Sequence, residues 1–268
     1  FMTIECSQSV HSIVHDNRIS QSVHSIVLTK RNWGQEIMEN PIIFTAEIIG
    51  TIAFASSGAM LGIRKNLDLF GVLVLGLCVA VGGGIVRDII LGRTPPGAFR
   101  DPVYALVALG TSALLFLLVY GKQEIMTSRY LTIYEQVMNY CDAVGLGIFT
   151  VLGVYTAHGE GYHGIFFLVF LGMMTGIGGG LIRDILADTM PFILYKHIYA
   201  MAAFAGALVC VLLIHTHLYL ALAAGTAVVI VIRVLATHYC WDLPRPLHEK
   251  DAHTKTKNLS ENSNADDT

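Results

Sequence analysis

Gly82-Gly83-Gly84-Ile85-Val86-Arg87-Asp88 returns 96 residues later as Gly178-Gly179-Gly180-Leu181-Ile182-Arg183-Asp184. Each copy lies well inside a long apolar run. Glycine weakens a helix by roughly 1 kcal/mol per residue relative to alanine. A charge near the bilayer centre costs roughly 2.5–3.5 kcal/mol on insertion scales. Two costly features together, repeated at matched positions, mark a constrained element. We read them as matched breaks in two membrane helices that face a polar path.

The surrounding runs set the class. The 268 residues are 54% hydrophobic and 14% charged, with a mean hydropathy of +0.59. Soluble chains average about 25% charged residues. The apolar blocks are about 17–25 residues long, the length that crosses a hydrocarbon core of roughly 30 Å. We expect seven spans, near 42–63, 69–91, 102–120, 141–157, 163–187, 198–215 and 218–237. The fold class is therefore an all-α integral membrane protein. A net charge of −3 without a basic stripe gives no footprint for nucleic acid. Cys6, Cys78, Cys141, Cys210 and Cys240 have neither metal-ligand nor redox spacing. No Ser-His-Asp set, zinc motif, phosphate loop or haem motif is placed credibly, so we expect neither an enzyme, a cofactor nor a bound metal.

The duplication extends beyond the motif. Glu47, Gly50, Phe54 and Gly58 match Asp142, Gly145, Phe149 and Gly153 at an offset of 95. Gly76, Pro95 and Gly110 match Gly172, Pro191 and Gly206 at an offset of 96. This predicts two three-helix repeats, 38–120 and 141–215, joined by a polar connector at 121–140 and followed by a seventh helix at 216–240. Three spans is an odd number, so the second repeat enters from the opposite side, the inverted design of many transport proteins. Residues 1–37 form a polar N-terminal extension in which Ser7 to Val14 recurs at Ser20 to Val27. We expect it to be disordered, and Met38 is a candidate native start. The tail at 241–268 is also expected to be disordered.

Loop charges set the orientation. Call the side of the N-terminus side A; its loops carry Lys30, Arg31, Arg93 and Arg100. Side B carries Arg64, Lys65, Lys122, Arg129, Lys196, Arg245, Lys250, Lys255 and Lys257. Side B is expected to be cytoplasmic and the N-terminus outside, in a plasma (inner) membrane.

Triple glycine lets a helix bend or unwind and frees amides and carbonyls, which in lipid must be buried or face water. Freed carbonyls can replace water around a small cation, or hold the ammonium of a small zwitterion while amides hold its carboxylate. Glycines also permit close helix packing. Arg87 lies four residues past Gly83, about 6 Å along a helix at 1.5 Å per residue, toward side A. Arg183 takes the mirrored depth toward side B. Glu47 and Asp142 begin the first and fourth spans at those same depths. We therefore expect Glu47–Arg87 and Asp142–Arg183 contacts, with Asp88 and Asp184 left to cap loops, pair with an arginine or line the path. Histidines 158, 163, 197, 215, 217 and 238 fall at span ends, where they either sense pH or are simply solvated.

Seven spans, two repeats and GGGxxRD in the second and fifth spans resemble the prokaryotic branch of the TRIC (trimeric intracellular cation) channel family, also described as a glycine-transporter domain family. The resemblance covers about Asn40 to Trp241. It implies a homotrimer in lipid with one pore per protomer, bent helices at Gly82–Gly84 and Gly178–Gly180 lining that pore, and potassium or another monovalent cation as substrate. A carrier of glycine or a similar amino acid, and a membrane scaffold that transports nothing, are the alternatives.

Overall fold

The computed structural model describes residues 40–120, 128–191, 193 and 197–239. The expectations for the extension at 1–37 and the tail at 241–268 lie outside the described residues. The described residues form eight helices in chain order: α1 Pro41–Arg64, α2 Leu69–Ile90, α3 Gly97–Arg100, α4 Pro102–Tyr120, α5 Ser128–Gly159, α6 Ile165–Leu186, α7 His197–Leu213 and α8 Leu218–His238. Six are long and apolar enough to cross a membrane, and α7 supplies a shorter apolar helix at Ile198–Leu213. The molecule is a multi-pass helical membrane protein.

Local chemistry sets the helix ends. Asn40 caps α1 by accepting from the Ile42 amide, and Pro41 occupies the first turn, where its missing N–H costs nothing. Asp68 caps α2 through the Gly71 amide at 2.7 Å. The C-terminal caps recur in pairs. α2 closes through Gly92 at φ +70°, with the Arg93 amide donating to Asp88 O, and α6 closes through Asp188 at φ +49°, with the Thr189 amide donating to Asp184 O. α1 and α5 close in the same way through Asn66 and Gly161. These left-handed caps satisfy carbonyls that a helix end leaves without partners.

α5 starts earlier than the sequence suggested. It is helical from Ser128, within the stretch read as a polar connector up to Tyr140. Glu135, Gln136 and Asn139 interrupt its apolar residues, which hides the helix from an apolar-run reading. Its inner face docks on the end of α1. Met138 is buried, the Tyr134 hydroxyl donates to Met60 O at 2.9 Å, and Glu135 pairs with Arg64 at 2.9 Å.

α1, α2, α5 and α6 pack as the inner group, with α4 against α1 and α2, and α7 and α8 against α5. At the centre the rings of Phe54 and Phe149 stack at 5.2 Å, 6° from parallel. Each ring lies over a glycine of the other half: Phe149 over Gly50, and Phe54 over Gly145. The outward faces are apolar, with Phe70, Leu106, Leu117 and Phe166 exposed, as expected where lipid replaces water as the solvent. Ties at the helix ends define the two sides. On side A, Asn40 donates to the Tyr219 hydroxyl at 3.1 Å, and Arg93 pairs with Glu160 at 2.6 Å. On side B lie the Arg64–Glu135 pair and the charged ends of α5, α6 and α8.

Candidate transport site

Both glycine triplets sit where α2 crosses α6. The helices run without interruption through Gly82, Gly83 and Gly84, and through Gly178, Gly179 and Gly180. Of the two expected forms of break, bending or unwinding, the helices do not show the unwound one with freed amides and carbonyls. The glycines are notches for a close backbone crossing instead. A β-carbon on Gly83 would strike Thr175 O, and one on Gly179 would come within 2.6 Å of Val79 O. A β-carbon on Gly178 would lie 3.1 Å from Gly83 Cα, and one on Gly82 would lie 2.5 Å from Ile182 Cδ1. A continuous helix keeps its backbone groups within the helical pattern, as hydrocarbon favours, while small residues let the helices approach. Ion coordination by unwound carbonyls has no basis in this geometry.

The outermost glycines differ. A β-carbon on Gly84 would have no neighbour closer than Arg87 Nη2 at 4.0 Å. The same position on Gly180 is filled by the Tyr199 hydroxyl, with Asp142 Oδ1 at 3.6 Å.

Each Arg-Asp pair closes on itself. Arg87 Nε donates to Asp88 Oδ1 at 2.9 Å, and Arg183 Nε donates to Asp184 Oδ1 at 2.8 Å. Asp88 Oδ2 also accepts from the Gly97 amide at 2.7 Å, holding α3 against the end of α2. The expected Asp142–Arg183 contact is present at 2.6 Å, and the same Nη1 donates to Ser57 Oγ of α1 at 2.6 Å. Arg183 is fully buried. The expected Glu47–Arg87 contact is absent, and no ion pair joins the two. Glu47 instead accepts from the Tyr104 hydroxyl of α4 in a short hydrogen bond. A neutral donor from the neighbouring helix takes the role given to the arginine.

One charged residue escaped the sequence reading. Arg233 of α8 is 3% exposed. Its Nη2 lies 3.5 Å from Asp142 Oδ2, and its guanidinium carbon sits 4.7 Å over the Tyr199 ring. A single arginine within the apolar run of a span outside the repeats was the available signal. The side-B cluster thus holds Arg183, Arg233, Asp142 and Asp184. The side-A cluster holds Arg87, Asp88 and Glu47.

On side A the His158 ring makes edge contacts with His163 and His215, each at 5.3 Å between centroids. Nearby, Glu160 receives Arg93 Nε at 2.7 Å. His217 begins α8, and His238 lies against Tyr239. The His197 side chain lies outside the described residues. Cys78, Cys141 and Cys210 are free thiols. Among the described residues no His, Cys, Asp or Glu group gathers as metal ligands.

Apolar spans around a crossing of glycine helices, flanked by buried charge clusters, define a membrane protein of the channel and transporter class. Comparison with known proteins narrows the class. The chain belongs to the glycine transporter family, to which the TRIC cation channels also belong: the family profile matches residues 44–120 and again 139–215. The UPF0126 inner membrane protein YadS of Escherichia coli strain K12 is 36% identical over 206 residues, 76% of this chain and 95% of that protein. A UPF0126 membrane protein of Deinococcus radiodurans is 44% identical over 163 residues, 60% of this chain and 71% of that protein. Among solved structures, a prokaryotic TRIC channel crystallised in 0.5 M KCl superposes with a TM-score of 0.69 at 32% identity, covering 75% of this chain and 98% of that one. The trimeric intracellular cation channel orthologue from Rhodobacter sphaeroides gives 0.67 at 33% identity, covering 75% and 99%. The chain has the fold of a membrane cation channel.

Proposed function

We propose that this protein is a monovalent-cation channel, permeable chiefly to potassium, in which each protomer of a homotrimer carries its own path beside the α2–α6 crossing. The observation that carries the reading is the likeness to TRIC cation channels over almost the whole of their chains. Gly82–Gly84 and Gly178–Gly180 border the path. Glu47, Arg87 and Asp88 flank its side-A end, and Asp142, Arg183 and Asp184 its side-B end. The side-A cluster holds two carboxylates against one guanidinium, a balance that draws cations when both are ionised.

The path is built from two inverted repeats, 38–120 and 141–215, with 216–240 as an added helix. Reciprocal contacts support this: Gly50 on Phe149 with Gly145 on Phe54, and Gly83 on Thr175 O with Gly179 on Val79 O. Reciprocity of that kind is the mark of a two-fold relation. Side B faces the cytoplasm of a bacterial plasma membrane, from the loop charges read earlier.

Purified protein in potassium-loaded vesicles, with and without glycine, tests the reading. Potassium efflux that ignores glycine is the expected result. Saturable glycine uptake without cation flux would make the protein a carrier. Neither flux would leave a scaffold.

A further inference from the structure

The two ends of the crossing are built from similar parts and finished differently. Each half has a tyrosine near the start of its third long helix: Tyr104 in α4 and Tyr199 in α7. Each has a carboxylate on its first: Glu47 in the second turn of α1, and its repeat counterpart Asp142 near the middle of the longer α5. On side A the Tyr104 hydroxyl is drawn to Glu47, Tyr104 stays half-buried, and the space beside Gly84 is empty of other side chains. On side B, Asp142 is one methylene shorter and is occupied by Arg183. Tyr199 lies 1% exposed with its hydroxyl filling the place of the missing Gly180 side chain. The Arg233 guanidinium carbon sits over that ring at 4.7 Å from its centroid, and Nη2 reaches Asp142 at 3.5 Å. Cation–ring contacts are stronger when removed from water, and both partners here are buried.

We infer that Tyr199 is the side chain that closes the side-B end of the path, and that Arg233 of the added helix is its positioning residue. The inference rests on the proposed path along the α2–α6 crossing. Glycine at 180 then has a purpose beyond packing: it is the seat for the tyrosine. The seat at Gly84 has no occupant because Glu47 holds Tyr104 away from it. The added helix α8 supplies the asymmetry, since Arg233 has no partner of its kind in the first half. Opening requires the Tyr199 ring to leave Gly180, which breaks its stack on Arg233 but leaves the Arg183–Asp142–Asp184 pairs intact.

The test is potassium current in planar bilayers from the full-length protein carrying Tyr199→Ala, Tyr199→Phe, Arg233→Gln or Arg233→Lys. A closed state that dominates by a few kcal/mol leaves the open one at 0.1–10%, so removing the plug should raise open probability about tenfold. Tyr199→Phe keeps the ring and should raise it less. Arg233→Gln should raise it, and Arg233→Lys, which restores a cation over the ring, should return it toward wild type. A merely structural arginine would lower current and assembly together in both variants. Tyr199→Leu stands in if the alanine protein does not fold, with a rise again expected. If wild type conducts and neither Tyr199→Ala nor Tyr199→Leu conducts more, the gate is refuted and the channel reading stands. If wild type and the Tyr199 variants are all silent, the path itself is refuted, and the gate with it.

Discussion

The side-A and side-B charge clusters start from the same motif and reach different degrees of closure. Arg183 has Asp184, Asp142 and Ser57 around it and no exposure. Arg87 has Asp88 as its direct partner, with the Glu47 charge acting on it from further off, and its side chain is 10% exposed. Leu152 stands 95 residues from Ser57, so the counterpart of the serine hydroxyl is missing. Glu47 is turned to Tyr104, and among the described residues no second arginine on side A plays the part of Arg233. One end of the crossing is held by a fully buried network of four charged residues, and the other by one direct ion pair beside open space. A duplicated motif sets where charges lie along the helices; the neighbours outside the motif decide what those charges do.

The comparison can be broken by substitution, most severely at Arg183. Arg183→Ala strands Asp142 and Asp184 in a buried site, and removing one partner of a buried ion network costs about 3–5 kcal/mol. Denaturation in detergent should show a loss of this size, and Arg87→Ala should lose clearly less. Equal losses would contradict the asymmetry. Next comes the crossing. A leucine at Gly83 meets the Thr175 carbonyl, and overpacking of this kind costs about 1–3 kcal/mol or more. Gly83→Leu and Gly179→Leu should both abolish cation flux, because the two contacts are reciprocal. Survival of either would separate the halves.

A smaller effect compares the outer glycines. Gly180→Ala displaces the Tyr199 hydroxyl and should destabilise by about 1 kcal/mol or more. Gly84→Ala meets only Arg87 Nη2 at 4.0 Å and should stabilise α2 by up to about 1 kcal/mol through helix propensity. Thermal unfolding of the two variants side by side reads the difference.

Helix placement was legible because membrane spans announce themselves as apolar blocks, and the repeated glycines marked where the two halves meet. What the glycines do was not. A triplet permits both unwinding and close crossing, and only the partner across the contact decides. Here that partner is another helix backbone, so crossing wins. The Asp142–Arg183 contact followed from matched depth along the helices. The direct Glu47–Arg87 contact did not, because depth says nothing about a third group such as Tyr104, which takes the Glu47 carboxylate. Arg233 stayed hidden because α8 lies outside the duplication. The first part of α5 stayed hidden because polar residues such as Glu135, Gln136 and Asn139 break up its apolar run in the sequence.

Cations are proposed to pass beside the crossing of the two glycine helices. Single-channel recording of the purified protein in planar bilayers, in potassium solutions with and without glycine, tests it most directly. Stepwise potassium currents that are unchanged by glycine and lost in Gly83→Leu are the predicted result. Saturable glycine transport with no unitary currents would contradict it.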